Sequence, residues 1–368
     1  MKIAINCRSF LSPRYAGIGR YAYHLVPSLS EIDSYNEYYL YAQKGVLDLK
    51  RRIPEVNAKN FFVRVDRFKA GVAQTVGRVD VYHAPSLEDL PELPGRIVVT
   101  VHDLVFRAYP QGHTDDTIRT SERQLKEVLK RAKLLICCSK STQCDLKRFY
   151  NVEEHRLKLV YQGVGKDTFY VLNESERAVA LKVIKARRVA GPFLLFVGTI
   201  EPRKNLLNLL SAFALLREKG KFTGTLAVIG MTGWKNDSTG KLLKELKLEK
   251  HVRFLGFLPN QELRYFYNLA EVFVYPSFYE GFGFPILEAM SCGAAVVTSN
   301  LSSCPEVAGD AALLVDPHQP ESIAKAIGMI LENENLRAQL QERAVKRSAE
   351  FSFLETARQT LKVYQELV

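Results

Sequence analysis

Short apolar runs alternate with helix-period stretches twice along this 368-residue chain, and that alternation restricts the fold more than any single motif. The first series falls at residues 2–7, 37–41, 61–65, 80–83, 96–102, 134–139 and 157–161. Each run is too short for a helix and rich in β-branched or aromatic residues, as expected of strands. A second series falls at 193–198, 225–230, 252–256, 272–275, 294–298 and 312–315. Strands separated by helices make βα units and a mostly parallel sheet, so two series predict two Rossmann-like sheets. Length agrees, because a single core stops growing at roughly 250–300 residues.

The stretch 163–169 reads as the linker, with the hinge near residue 165, followed by a charged helical segment over 174–188 and the turn Ala190-Gly191-Pro192. Near the end, Ser352-x-x-Glu355 has the pattern of a capping box before a helix carrying Leu354, Leu361, Tyr364 and Leu367. The predicted boundaries are 1–165, 166–350 and a terminal helix at 351–368. Ligands of open parallel sheets bind beyond the carboxyl ends of the strands, so two facing sheets place the expected site in an interdomain cleft.

Candidate residues follow predicted strands. After the run 272–275 comes Phe278-Tyr279-Glu280-Gly281-Phe282-Gly283-Phe284-Pro285-Ile286-Leu287-Glu288. Pro285 suits a helix start. Gly281 and Gly283 let the main chain approach a ligand, and helix-start N–H groups attract phosphate. Glu280 belongs at the strand's carboxyl edge and Glu288 near the first helical turn, where carboxylates suit sugar hydroxyls. After 193–198, Glu201-Pro202-Arg203-Lys204-Asn205 brings two adjacent cations to a helix start. Their charges suit a diphosphate that gains charge as it leaves.

In the first half, Gly17-Ile18-Gly19-Arg20-Tyr21 lies between the first strand and an amphipathic helix. The run 96–102 delivers His102-Asp103 to the same edge, and Val81-Tyr82-His83-Ala84-Pro85-Ser86 brings His83.

The run from Glu280 to Glu288, continuing through Ala289-Met290-Ser291-Cys292-Gly293, resembles the Glu-x7-Glu signature of the retaining GT-B glycosyltransferases of the group 1 and family 4 type. The Gly-Ile-Gly-Arg-Tyr, His-Ala-Pro-Ser and Glu-Pro-Arg-Lys-Asn segments look most like bacterial mannosyltransferases of polysaccharide assembly. This resemblance implies the GT-B fold and a terminal helix crossing back to the first domain. It assigns Glu280 to the transferred hexose, Glu288 to the nucleotide ribose, and the backbone of Gly281, Phe282 and Gly283 to sugar or phosphate. It directs His102 at the donor sugar, Arg203 and Lys204 at the diphosphate, and Gly17 and Gly19 at the donor phosphate from the acceptor domain. Asp103 is expected to orient the imidazole or bind acceptor, His83 to contact acceptor, and Arg20 to touch phosphate or acceptor. The segment Gly256-Phe257-Leu258-Pro259 is expected in the base pocket, with Ser303 and Glu306 as weaker candidates. One departure stands out: many relatives have arginine where this chain has Thr199, which leaves the guanidinium role to Arg203 or requires another way of holding diphosphate.

The implied reaction moves a hexose with retention from a nucleotide diphosphate sugar, GDP-mannose first, to a glycan or glycolipid hydroxyl. The preferred route is front-face displacement rather than a carboxylate nucleophile. With no Asp-x-Asp triplet and a cationic pair available, metal independence and no cofactor are expected. A nucleotide-sugar epimerase or hydrolase, and a non-catalytic sugar-nucleotide-binding protein, are the alternatives. A dehydrogenase fits poorly, since Gly-x-Gly-x-x-Gly with an acidic partner does not follow the first strand.

The six cysteines lack paired zinc-ligand spacing and read as reduced thiols. Net charge is +11, and residues 1–170 hold 27 Lys and Arg against 19 Asp and Glu. Without a nucleic-acid signature, that excess points to an anionic membrane surface or lipid-phosphate acceptor. The segment 119–133 sets Leu125, Val128, Leu129 and Ala132 beside Arg123, Lys126, Lys130 and Arg131, the pattern of a helix that lies on a bilayer or on its own domain. With no bilayer-length apolar run and no leader pattern, a cytoplasmic protein is expected, peripheral to the inner membrane face if that contact exists.

Overall fold

A computed structural model of the chain describes residues 1–7, 18–43, 56–88, 90–93, 96–231 and 237–368. These form two compact units, one made of residues 1–163 with 351–368 and the other of 164–350.

Seven parallel strands build the sheet of the first unit: β1 (Lys2–Asn6), β2 (Glu37–Gln43), β3 (Phe61–Asp66), β4 (Val81–Ala84), β5 (Arg96–Val101), β6 (Leu134–Cys137) and β7 (Leu157–Leu159). Their order is β3-β2-β1-β4-β5-β6-β7. Each predicted run supplies one strand. The helices here are α1 (Ile18–Ile32), α2 (Val72–Val76), α3 (Val105–Ala108), α4 (Asp115–Arg131) and α5 (Lys140–Tyr150). Thr114 caps α4 by accepting from the Thr117 amide. The apolar stripe of α4 faces its own domain: Leu125 and Val128 are buried in the core and Leu129 packs against it. That stripe is thus occupied by its own domain. Arg119, Arg123, Lys126 and Lys130 are exposed on the other side.

The second unit follows the same plan with α6 (Glu174–Ala186), β8 (Phe193–Val197), α7 (Leu206–Glu218), β9 (Thr225–Ile229), α8 (Asp237–Glu245), β10 (Val252–Gly256), α9 (Asn260–Leu269), β11 (Val272–Tyr275), α10 (Phe284–Ser291), β12 (Val296–Ser299), α11 (Cys304–Ala308), β13 (Ala312–Val315), α12 (Pro320–Glu332) and α13 (Glu334–Ala349). Its six strands are parallel in the order β10-β9-β8-β11-β12-β13. The expected linker is fastened to this unit. Arg264 donates to the Thr168 carbonyl (3.1 Å), Asn268 donates to the Tyr170 carbonyl (3.0 Å), and the Leu172 amide donates to Asn268 Oδ1 (2.8 Å). The boundary thus falls after Gly163.

The chain closes with α14 (Phe353–Gln365), which belongs to the first unit and packs on α1. Ser352 caps it by accepting from the Glu355 amide at 3.1 Å, and Thr356 Oγ1 donates to the Tyr161 carbonyl at 2.8 Å. Gly163 permits this passage, since a Cβ there would lie 2.2 Å from the Phe353 nitrogen. Among the described residues, no helix is long and apolar enough to cross a membrane.

In each all-parallel sheet the order of strands reverses once. The reversal lies between β1 and β4 in the first unit and between β8 and β11 in the second. At such a topological switch point the loops leaving adjacent strands diverge and open a crevice at the carboxyl edge.

Candidate active site

The switch point of the second unit gathers Arg203, Lys204, Tyr275 and Glu280. Pro202–Lys204 forms a 3-10 turn after β8, and Asn205 then takes a left-handed conformation (φ 60°) ahead of α7. Asn205 holds that turn down by donating to the Pro276 carbonyl (3.0 Å) and the Pro317 carbonyl (2.7 Å). The two cations therefore sit before the apolar helix rather than on its first turn.

From there Lys204 Nζ donates to Glu280 Oε1 (2.7 Å) and to the Tyr275 hydroxyl (2.5 Å). Tyr275, at the end of β11, donates in turn to Glu280 Oε1 (2.9 Å). Arg203 reaches the other carboxylate oxygen, with Nη1 donating to Glu280 Oε2 (2.9 Å) and the Tyr279 carbonyl (2.9 Å). Its Nη2 donates to Glu201 Oε1 at 2.6 Å. Lys204, Tyr275, Glu201 and Glu280 are all buried. Two acids thus face two bases in a site sheltered from water, where paired charges hold one another far more firmly than on a surface.

Burial alone would raise the Glu280 pKa, but the Arg203 and Lys204 charges outweigh it and bring it down to about 2. Burial, aided by neighbouring Arg203, pulls Lys204 below its ordinary value even though Glu280 opposes that shift. Burial first, and Glu280 next, push the Tyr275 phenol well up.

The loop from β11 to α10 is shaped by hydroxyls. The Glu280 amide donates to Ser302 Oγ (2.9 Å), while the Ser303 hydroxyl donates to the carbonyls of Glu280 (3.0 Å) and Phe282 (2.8 Å). Ser303 precedes α11 without making a side-chain cap, so it serves this loop instead. Phe282 is buried and Gly283 adopts φ 105° as the residue before α10, a conformation that favours glycine. Glu288 is the fifth residue of α10, just past the first turn. It is buried and its Oε2 accepts from the Tyr267 hydroxyl at 3.0 Å.

Behind this site two loops nearly touch: a Cβ on Gly230, after β9, would lie 1.9 Å from the Gly198 carbonyl oxygen after β8. Gly256 has φ 68°, and Phe257 beside it is exposed.

In the first unit the candidates separate. His102 directly follows β5, its Nε2 facing the Pro85 carbonyl (2.7 Å) and its Nδ1 facing the Gln162 amide nitrogen (2.8 Å). That pairing fits one neutral tautomer, with Nε2 donating and Nδ1 accepting, and burial lowers the pKa. Both ring nitrogens are thus engaged within the unit.

Asp103 does not orient this ring. Its Oδ1 accepts from the Val105 amide (3.1 Å) and shapes the turn into α3. His83 requires a larger correction: it is fully buried, with Nδ1 2.6 Å from the Tyr364 hydroxyl and Nε2 2.8 Å from Thr100 Oγ1. It joins α14 to the sheet and presents no face to an acceptor. Desolvation, with His102 nearby, drops its pKa to about 3. Gly19 is the buried second residue of α1 rather than part of a loop, and Arg20 follows it on the first turn, half-buried. Gly17 lies outside the described residues.

Sequence reasoning did not single out Tyr275, Glu201, Ser302 or Gln162. Tyr275 was hidden in a strand-like run, although a phenol ending an otherwise apolar strand is a signal. Glu201 stood two residues from Arg203, a spacing that carries meaning only once the 3-10 turn folds the two side chains together.

Comparison with known proteins agrees with this architecture. The family model for glycosyl transferases group 1 matches residues 181–347, and that for glycosyltransferase family 4 matches residues 15–167. The chain is 33% identical over 374 aligned residues to O-antigen chain mannosyltransferase B of Escherichia coli, covering 95% of this chain and 96% of that protein. Among solved structures, sucrose-phosphate synthase from Thermosynechococcus elongatus superposes with a TM-score of 0.77 at 21% identity, covering 100% of this chain and 98% of that one. Anabaena HepE, solved with UDP and glucose, gives 0.73 at 17% identity with both chains fully covered. The chain belongs to the glycosyltransferases of group 1 and family 4, and is a GT-B hexosyltransferase of glycan assembly.

Proposed function

We propose that this enzyme transfers mannose from GDP-mannose to a glycan or glycolipid hydroxyl with retention at the anomeric carbon and without a divalent metal. The observation that carries the reading is the Arg203–Glu280–Lys204 cluster at a topological switch point. Its two cations suit a diphosphate leaving group. Mannose is favoured by the name of the E. coli relative.

In this reading Arg203 and Lys204 hold the diphosphate, and Glu280 fixes both cations while accepting from a hydroxyl of the hexose. Glu288, fixed by Tyr267, takes the ribose hydroxyls. Gly281, Phe282 and Gly283 contribute main chain to sugar and phosphate, with Gly17 and Gly19 supplying further main chain. His102, on the first unit, serves the donor sugar, and Asp103 and Arg20 are reserved for the acceptor side. The C–O bond to phosphate breaks as the acceptor oxygen bonds on the same face, and the acceptor proton passes to the departing phosphate. A carboxylate with a pKa near 2 is a weak base at neutral pH, and both Glu280 oxygens already accept from Arg203, Lys204 and Tyr275. This supports displacement by the acceptor itself over attack by Glu280.

We infer a cytoplasmic enzyme that meets an anionic leaflet through α4, where Arg119, Arg123, Lys126 and Lys130 outnumber the neighbouring Glu122 and Glu127. That contact is electrostatic and weakens as salt rises.

The deciding experiment incubates the protein with GDP-mannose, UDP-glucose and related donors, with and without lipid-linked and free sugar acceptors and with a chelator, and analyses the products. Acceptor-dependent, chelator-resistant α-mannoside is expected. Conversion of donor without acceptor would instead select an epimerase or hydrolase.

A further inference from the structure

A lysine ammonium carries three N–H donors at the end of a flexible stem, and a single partner leaves it free to turn about its last bond. Lys204 has two partners. Its Nζ donates to Glu280 Oε1 at 2.7 Å and to the Tyr275 hydroxyl at 2.5 Å, and that hydroxyl donates to the same Glu280 oxygen at 2.9 Å. The three atoms close a triangle. Two of the ammonium's N–H bonds are thereby fixed in direction, and the tetrahedral nitrogen fixes the third.

We propose that Tyr275 is a positioning residue for transfer: together with Glu280 it aims the remaining Lys204 N–H at the departing diphosphate. This rests on the glycosyl-transfer reading above. Rigidity is the first argument. Tyr275 ends β11 at the switch point beside β8 and is fully buried. Its ring stacks on Phe273 with centroids 5.8 Å apart, and its carbonyl accepts from Thr298 Oγ1 at 2.8 Å. A phenol held by packing and by its own backbone is a fixed reference for the group it touches. Division of labour is the second. Glu280 also accepts from Arg203 and, in the reaction, from the hexose, whereas the Tyr275 hydroxyl bonds only to Lys204 and Glu280 among the described residues. Burial and then Glu280 push its pKa well up, so it keeps its proton and can donate to Glu280 while accepting from Lys204. Cost is the third. Phenylalanine would fill the same space without burying a hydroxyl, which is unfavourable unless bonded, so the oxygen's contribution lies in those two hydrogen bonds. The charge of Lys204 attracts phosphate from any orientation, but a hydrogen bond weakens steeply off its line. Loss of aim therefore shows in turnover more than in donor binding.

The test uses the full chain, GDP-mannose and the acceptor that gives product in the transfer assay. Tyr275→Phe should lower kcat about tenfold, the scale of one hydrogen bond to a charged group, while donor KM and GDP Kd stay within about threefold. A pH profile separates positioning from folding. Removing the phenol takes an acceptor from the ammonium, so Lys204 gives up its proton more readily. The alkaline limb of kcat/KM for donor should move about one pH unit toward acid. The other titratable groups facing Lys204 are Arg203 and Glu201 from its own turn, Glu280 after β11 and Cys304 on α11, and all four stay in the variant. A kcat within about twofold of wild type, or a fall in kcat with the alkaline limb unmoved, would overturn the proposal. If Tyr275→Phe does not fold, Thr298→Val decides: it removes the bond to the Tyr275 carbonyl and should give the same pattern at smaller amplitude, and wild-type values there would refute the role. A wild-type chain that transfers from no donor would bring down the glycosyl-transfer reading and this inference with it, whereas normal transfer that is insensitive to Tyr275 brings down only the inference.

Discussion

Replacing Glu280 by Gln removes the charge that the buried Lys204 and the half-buried Arg203 share while leaving the side chain's shape. In the folded protein the Glu280 pKa stands at about 2 against an ordinary 4.5, and at about 1.4 kcal/mol per unit the difference is worth about 3 kcal/mol. Breaking a buried ion pair from one side costs about 3–5 kcal/mol, so the two routes agree. The sign follows from the direction of the shift. A carboxylate with a depressed pKa stabilises fully above its unfolded value and loses that contribution as pH falls through the folded one. The gap between wild type and E280Q should be about 3 kcal/mol at pH 7, about half that at pH 3, and close to zero near pH 2. Urea unfolding of both proteins at pH 7, 5 and 3, followed by circular dichroism, measures it. A gap under about 1 kcal/mol at pH 7, or one that does not narrow with acid, would show that Glu280 is not the anchor of Arg203 and Lys204. Turnover should fall as well, because the cations would lose the group that fixes them.

Other substitutions probe the remaining assignments. Glu288→Gln should weaken GDP binding about tenfold by calorimetry with kcat nearly unchanged, and a loss of kcat at constant affinity would reverse the roles given to the two glutamates. His83 is neutral when folded, with a pKa near 3 against 6.5 unfolded, so wild-type stability should fall by up to roughly 5 kcal/mol as pH drops from 6.5 to 3. His83→Gln should flatten that slope in a Tm-versus-pH series while leaving acceptor KM alone at pH 7.5, and parallel slopes would refute the buried-histidine account. Gly230→Ala should cost at least about 3 kcal/mol, since its Cβ would overlap the Gly198 carbonyl. The control Gly240→Ala in α8, with open space around it, should be neutral or stabilising by about 0.5–1 kcal/mol.

Much of the fold was legible because its signal is local. An apolar run such as Leu134–Cys137 can satisfy its burial only as a strand between covered faces, and all thirteen predicted runs became strands. Helix ends were legible for the same reason: Ser352 and Glu355 lie within one turn of each other. The amphipathic pattern of α4 was also plain, yet it could not say what the apolar stripe would meet, and Leu125 and Val128 met their own core. His83 and His102 look equivalent as histidines at strand ends. Only the tertiary fold ties His83 to Tyr364, far along the chain, and His102 to Pro85 and Gln162.

The residues of the candidate site divide along the same line. Glu280, Glu288, Arg203 and Lys204 could be chosen from the chain alone, because carboxylates, cations and glycines at those spacings carry their chemistry with them. That Glu280 is the counter-ion of both cations and that Tyr275 bridges it to Lys204 were decided by the order of strands in the second sheet. Hydrogen bonds between residues 71 and 76 positions apart depend on which loops diverge at a switch point. Local pattern specifies the elements, and their packing specifies which charged groups share a pocket and so what each one's charge can do.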